Sequence, residues 1–204
     1  HTFIICGLIL FVFALMMHIR NYTWSTEELL WKDTVSKSPD KPRPLMNLGK
    51  FYQSINSDQA AFDTYQMAMK LSADRLTANF NDFQNRDMLA AAQSNLGVLF
   101  MKAGDFETAE KAFRGSLSLM PFQGPATVNL SRVMIVEERY QEAVELLSMT
   151  IAVENYGSGF QNRGKLHQNL GIAYAYLMDC LNADIQFKKA AEMDPDIEPL
   201  QCTQ

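Results

Sequence analysis

The residues able to do covalent or metal chemistry in this 204-residue chain are few and far apart. His1, His18 and His167 are scattered, and no metal-ligand spacing includes them. Glu137-Glu138 and Asp194-Pro195-Asp196 cluster carboxylates, but at a turn and at a helix end, where solvated charge is the ordinary role. No glycine-rich phosphate loop or nucleophile elbow occurs. Cys6, Cys180 and Cys202 share no ligand spacing; Cys6 lies in an apolar run, so only Cys180 and Cys202 are candidates to pair, and spacing does not decide whether they do. Asn21-Tyr22-Thr23 and Asn129-Leu130-Ser131 spell glycosylation sequons, the first against an apolar run and the second on a packed helix, so chance explains both. No catalytic residue, metal or cofactor is expected, and this chain reads as a non-enzyme. What remains is recognition chemistry, carried by amides that recur along the chain.

Those amides belong to a repeat. Asn-Leu-Gly or Asn-Leu-Ser occurs at residues 47–49, 95–97, 129–131 and 169–171. Three residues past each third residue stand Tyr52, Phe100, Met134 and Tyr174; nine further on stand Ala61, Ala109, Ala143 and Ala183. Four beyond come Tyr65, Phe113, Leu147 and Phe187, and three later Ala68, Ser116, Thr150 and Ala190. Gly104-Asp105 and Asn56-Ser57-Asp58 supply turn chemistry between two helices, and Pro121 and Pro195 stop the second. From Leu96 to Leu130 the spacing is 34, and in these five positions per unit the chain resembles the tetratricopeptide repeat family. The glycines are expected to face the alanines of the second helix, with the bulky positions filling the space between hairpins. A lone hairpin cannot bury its apolar face, so units stack into a solenoid.

Ahead of the repeats, Thr2 to Ile19 is an uncharged apolar run. As a helix it spans about 27 Å, near the thickness of a bilayer's hydrocarbon core, and Tyr22 and Trp24 follow where an aromatic belt would lie. A signal peptide would need a basic start and a small-residue cleavage site, and neither is present. The opening histidine reads as the start of a fragment. Next, "STEELLWKDTVSKSP" resembles the second helix of a repeat whose first is missing: Trp31 takes the large apolar position, Thr34 the small one, and Ser25 or Thr26 can cap it. This half-repeat is expected to cover the open end of the first full unit.

The order of apolar span, Arg20-Asn21, Trp24, Glu27, Leu30-Trp31, Asp33, Lys37 and Pro39, then repeats, is also similar to the end of membrane glycosyltransferase-like proteins of the O-mannosyltransferase type. That resemblance implies a non-catalytic C-terminal part whose repeats lie on the lumenal or periplasmic side. Arg20, Lys32 and Lys37 would by themselves place the repeats in the cytoplasm. Long domains translocate largely regardless of charge, so the expectation follows the resemblance: bacterial inner membrane, with the repeats periplasmic.

The fold expected is all-α, one transmembrane helix followed by a tetratricopeptide solenoid of a half-repeat plus four hairpins. Its parts are 1–22 (span and interfacial end), 23–41 (junction helix), 42–75, 90–123, 124–157 and 164–197 (repeats), 76–89 and 158–163 (insertions) and 198–204 (tail). The tetratricopeptide resemblance implies an inner groove, lined by first helices, that holds a peptide. Asn47, Asn95, Asn129 and Asn169 would project near it, where amides bond a peptide backbone as donor and acceptor. Lys50 and Arg132 add positive charge, and Val98, Met101, Ile135 and Ile172 add apolar surface. The family's clamp for a free C-terminus needs a lysine just before the asparagine, where this chain has Met46, Ser94, Val128 and Gln168. Each insertion carries Phe-Gln-Asn-Arg, at 83–86 and 160–163, and insertions in solenoids are often binding elements. Phe80, Phe83, Arg86, Phe160 and Arg163 are therefore a second candidate dock. The net charge of −5 without a basic patch argues against nucleic acid. The partners expected are proteins or peptides, as subunits of a membrane complex, and the bilayer through residues 2–19. A membrane-anchored scaffold in an envelope complex is the leading function; the accessory domain of a glycosyltransferase-like enzyme and a pilus or secretion assembly factor are the alternatives.

Overall fold

A computed structural model describes residues 2–154, 162–198 and 200–202; among them are ten helices and no strand. They run α1 (Thr2–Thr23), α2 (Glu27–Lys37), α3 (Pro42–Ser54), α4 (Asp58–Ala78), α5 (Phe83–Lys102), α6 (Phe106–Leu119), α7 (Gly124–Val136), α8 (Tyr140–Glu154), α9 (Arg163–Tyr176) and α10 (Cys180–Met193). From α3 onward they pair as four hairpins. The first helices α3, α5, α7 and α9 touch one another in turn, whereas α4, α6, α8 and α10 touch only first helices. Contact between neighbours on one side alone curves the array, with the first helices on the inner wall.

The repeat pattern is the packing pattern. Ala61, Ala109, Ala143 and Ala183 are fully buried, as are Tyr65, Phe113 and Leu147, with Phe187 nearly so; Ala68, Ser116, Thr150 and Ala190 are buried beside them. Phe100 packs against both apolar clusters of the array, joining the core of α3, α4 and α5 to that of α6, α7, α8 and α9 within the second hairpin.

The glycines face the rings of the second helix first, and only Gly171 also comes close to its alanine, where an added Cβ would stand 3.2 Å from Ala183 O. A Cβ on Gly97 would stand 2.7 Å from Phe113 Cε1, one on Gly171 2.6 Å from Phe187 Cδ1, and one on Gly49 would meet the Tyr65 ring. Each glycine is the floor on which the aromatic ring sixteen residues later in its own hairpin rests. The third hairpin carries Ser131 and Leu147 at these positions, both buried. There the branched aliphatic side chain leaves the room that a planar ring would take.

Each hairpin turns through a left-handed residue at the same position: Asn56 (φ 57°), Gly104 (82°), Glu138 (61°) and Met178 (62°). The N–H groups of Ser57, Asp105, Arg139 and Asp179 donate back to the carbonyls of Tyr52, Phe100, Met134 and Tyr174 at 2.8–3.0 Å. This double-bonded helix end satisfies carbonyls that the helix leaves open. Asp105 and Asp179 then cap the second helices, accepting from the N–H groups of Thr108 and Asn182.

The insertion at 76–89 is mostly helix. α4 runs on to Ala78 and α5 begins at Phe83, so both exceed the 13 to 15 residues of the later helices. "RDMLAAAQ" contains no breaker and is rich in helix formers, and Asp82 caps α5 by accepting from the Asn85 N–H at 3.0 Å. At the other end, Thr26 caps α2 by accepting from Leu29 N–H at 3.2 Å. No residue of α2 is buried, and Val35 is its contribution to the first hairpin's core. Without a first helix of its own, α2 covers the end only in part. α1 touches α2 alone, and its described side chains stand exposed along its length as far as Tyr22.

Candidate functional site

The inner wall presents the repeat asparagines one hairpin apart. Asn47, Asn95 and Asn129 are half-buried, and among the described residues their side-chain amides make no hydrogen bond to the rest of the chain. Asn169 departs from the expectation. It is buried, and its Nδ2 donates to Val128 O at 3.0 Å and Ser131 Oγ at 2.9 Å. Its amide therefore ties α9 to α7, because Ser131 brings a hydroxyl acceptor where the other hairpins have glycine. It is a structural residue, withdrawn from the groove. Three free amides and one engaged amide replace the four expected.

Around the free amides, Lys50 and Arg132 are exposed, and Val98, Met101, Ile135 and Ile172 are half-buried. Val98, Met101 and Ile135 lean partly on the core beneath, so each shows only one side to solvent.

The insertion residues separate in the structure. Phe80 is 78% and Phe83 61% exposed, so neither tucks back onto the array. The Arg86 guanidinium lies 5.2 Å from the centre of the Phe80 ring and donates to Phe80 O at 2.8 Å, holding the ring out as a knob. Asn85, in the same tetrapeptide, is buried and donates to Asp82 Oδ2 at 2.7 Å. The second Phe-Gln-Asn-Arg is not its structural copy. Asn162 is left-handed (φ 76°) and Arg163 is the first residue of α9, half-buried and partnered, whereas Asn85 and Arg86 lie inside a helical turn. Phe160 and Gln161, like His1, lie outside the described residues. The cause is register: Arg86 precedes its repeat glycine by eleven residues and Arg163 by eight.

The remaining chemistry is structural. His167 is buried against Gln186, with Nδ1 2.6 Å from Oε1. Arg139 joins Glu110 of α6 to Glu137 and Glu142 at 2.7–2.9 Å, binding the second hairpin to the third. The Arg139 guanidinium holds the Glu110 carboxyl below its usual range, with Arg114 adding to the effect. Burial pushes the Tyr65 phenol well up, and its hydroxyl donates to Gln53 Oε1 at 3.0 Å. No group of His, Cys, Asp and Glu among the described residues could hold a metal ion. Cys180 and Cys202 form a disulfide, with Cα atoms 5.2 Å apart, which pins the tail to the start of α10. A cleft of about 680 Å³ opens between α1 and α2, lined by Met16, Ile19, Arg20, Trp24 and Leu30 and by no residue of the inner helices.

Comparison with known proteins fits this geometry. A tetratricopeptide repeat profile matches residues 90–122, the hairpin of Gly97 and Phe113. A BBSome complex member BBS4 homolog of Drosophila melanogaster is 24% identical over 152 residues, covering 74% of this chain and 27% of the relative. Anaphase-promoting complex subunit 7 of Dictyostelium discoideum is 24% identical, covering 87% of this chain and 35% of the relative. The chain thus spans about a third or less of these relatives. Among solved structures, BtubC from P. vanneervenii superposes with a TM-score of 0.66 at 18% identity, covering 92% of this chain and 79% of that one. MamA from Desulfovibrio magneticus RS-1 superposes at 0.59 and 19% identity, covering 90% and 95%. The fold is an all-α solenoid of the tetratricopeptide type.

Proposed function

We propose that this tetratricopeptide array is a membrane-anchored scaffold whose inner wall receives a segment of a partner protein. The observation that carries the reading is the row of unused amides at Asn47, Asn95 and Asn129, half-buried and one hairpin apart. A half-buried amide without a partner is costly unless water or a ligand satisfies it, and an extended backbone offers a donor and an acceptor at the matching spacing. The exposed Phe80 and Arg86 knob is a second contact, since aromatic and arginine side chains are favoured at the centres of interfaces.

α1 is the anchor in this reading. Phe3–Thr23 is long and apolar enough to cross a bilayer and is not buried by the array. The Arg20 guanidinium lies 4.4 Å from the centre of the Trp24 ring, suiting the headgroup level where such pairs sit. The cleft between α1 and α2 would then fill with lipid, so it is no rival to the inner wall. The Cys180–Cys202 disulfide supports placing the repeats on an extracytoplasmic side, because such bonds persist in oxidising compartments. That side suits an envelope complex, and the two relatives named above are each named as part of a complex.

The test is co-purification from native membranes in mild detergent, comparing the parent chain with a Lys50→Ala, Asn95→Ala, Arg132→Ala variant. These side chains are exposed or half-exposed, so the melting temperature should hold while the partner is lost. A partner retained at parental yield would remove the inner wall from the account.

A further inference from the structure

We propose that the occupant of the inner wall is an acidic, extended internal segment of a partner protein, with carboxylates and apolar side chains alternating about every third residue. This rests on the inner wall being the docking surface and adds the chemistry of what docks there.

The charge of the chain is sorted between its two sides. The whole chain carries −5, yet the four inner helices hold a single carboxylate, Asp87, in the lengthened start of α5 two turns ahead of Asn95. On the outer side, α8 carries exposed Glu142 and Glu145 and no basic residue. Arg43, Lys50, Arg132 and Lys165 are exposed on the inner helices, and among the described residues none of them has an ion-pair partner. Lys102, by contrast, is used within the fold, reaching Asp58 at 2.8 Å.

The four free cations share one stripe. Each stands three or four residues from a repeat asparagine, which puts it on the same helical face, one turn away. No acidic residue occupies any equivalent position of the other hairpins, where Ala91, Pro125, Val98 and Ile172 stand instead. The positions three past the asparagines therefore read Lys50, Val98, Arg132, Ile172: cation, apolar, cation, apolar. Packed helices lie about 8–10 Å apart and an extended chain advances about 3.3 Å per residue, so one hairpin corresponds to roughly three residues of ligand. Carboxylates six residues apart, with an apolar residue midway, match the wall, and the asparagine amides take the backbone between them.

The test uses the full chain in neutral detergent micelles and fluorescein-labelled twelve-residue peptides of repeating Glu-Gly-Ser-Leu-Gly-Ser, read by anisotropy. Control peptides carry Gln or Lys in place of Glu. The Glu peptide should bind at low salt, weaken as salt is raised, and exceed the Gln and Lys peptides by about tenfold or more, as expected for several partly exposed ion pairs. A Lys50→Glu, Arg132→Glu variant should lose that preference, while a Lys70→Glu, Lys188→Glu variant, altered on outer helices, should keep it. Equal binding of the Lys peptide, or equal loss in both variants, overturns the inference by reducing it to net charge. Absence of Glu-peptide binding, with the native partner still lost from the Lys50→Ala, Asn95→Ala, Arg132→Ala variant, overturns the acidic segment and leaves the docking wall standing. Glu-peptide binding that survives both charge-reversed variants overturns the wall itself.

Discussion

Replacing Gly97 by serine and Phe113 by leucine would copy the third hairpin's Ser131 and Leu147 into the second. Gly97→Ser alone gains a few tenths of a kcal/mol in helix propensity. It also places a Cβ 2.7 Å from Cε1 and 2.9 Å from Cζ of a ring that is fully buried. Because the ring is fully buried, overpacking of about 1–3 kcal/mol dominates. Phe113→Leu alone loses buried ring atoms and leaves a void, costing on the order of 1–2 kcal/mol. Together the two remove both the clash and part of the void, so the double variant should cost less than the sum of the singles by about 1–2 kcal/mol. At about 2–4 °C per kcal/mol for a chain of this size, each single lowers the melting temperature by several degrees and the pair recovers part of that loss. Calorimetric melts of the four chains decide it. Additivity within about 0.5 kcal/mol, or a melt raised by Gly97→Ser alone, would refute the ring-on-glycine packing.

Further outcomes follow from other parts of the molecule. Glu138→Gly and Met178→Gly should each stabilise by about 0.5–1 kcal/mol, because both residues hold a left-handed backbone that glycine adopts freely; urea titrations measure this, and Ala at either site should give no gain. Arg139 depresses the Glu110 pKa, so this carboxylate's contribution is present above the unfolded pKa and is lost as pH falls through the folded one. The parent's advantage over Glu110→Gln in urea should accordingly shrink steadily as pH falls through the carboxylate range, and a constant difference would contradict it. Cys202→Ser should raise hydrogen exchange in 194–202 and the start of α10 while α3 to α6 stay protected, since the disulfide ties only the tail to that hairpin. Phe80→Ala with Phe83→Ala should leave the melt within about 0.5 kcal/mol of the parent, as exposed side chains do.

The solenoid was legible because each hairpin repeats the same packing problem, and Tyr65, Phe113, Leu147 and Phe187 solve it at one spacing. The left-handed turns were legible at Asn56 and Gly104, whose types favour that backbone. They were hidden at Glu138 and Met178, where the doubly bonded helix end imposes the conformation on residues that do not prefer it. Asn169 was misplaced because its acceptors, Val128 O and the Ser131 hydroxyl, come from the neighbouring repeat, and a pattern read within one repeat contains nothing of the next. The twin Phe-Gln-Asn-Arg stretches matched in letters but not in distance to the following glycine, and helix register follows the distance. The disulfide depends on where the tail returns, which local pattern does not specify. The sorting of charge became visible only once inner and outer helices were distinguished.

In the proposed function, partners dock on the inner wall rather than elsewhere on the array. The direct measurement is photocrosslinking in native membranes, with a benzophenone side chain placed at Asn95 or Arg132 on the inner helices, or at Gln66 or Gln141 on the outer ones. All four positions are exposed or half-exposed, and the outer two stand on α4 and α8. Docking on the inner wall should give one discrete adduct from both inner positions and none from the outer pair. Adducts from Gln66 or Gln141 with nothing from Asn95 or Arg132 would contradict it.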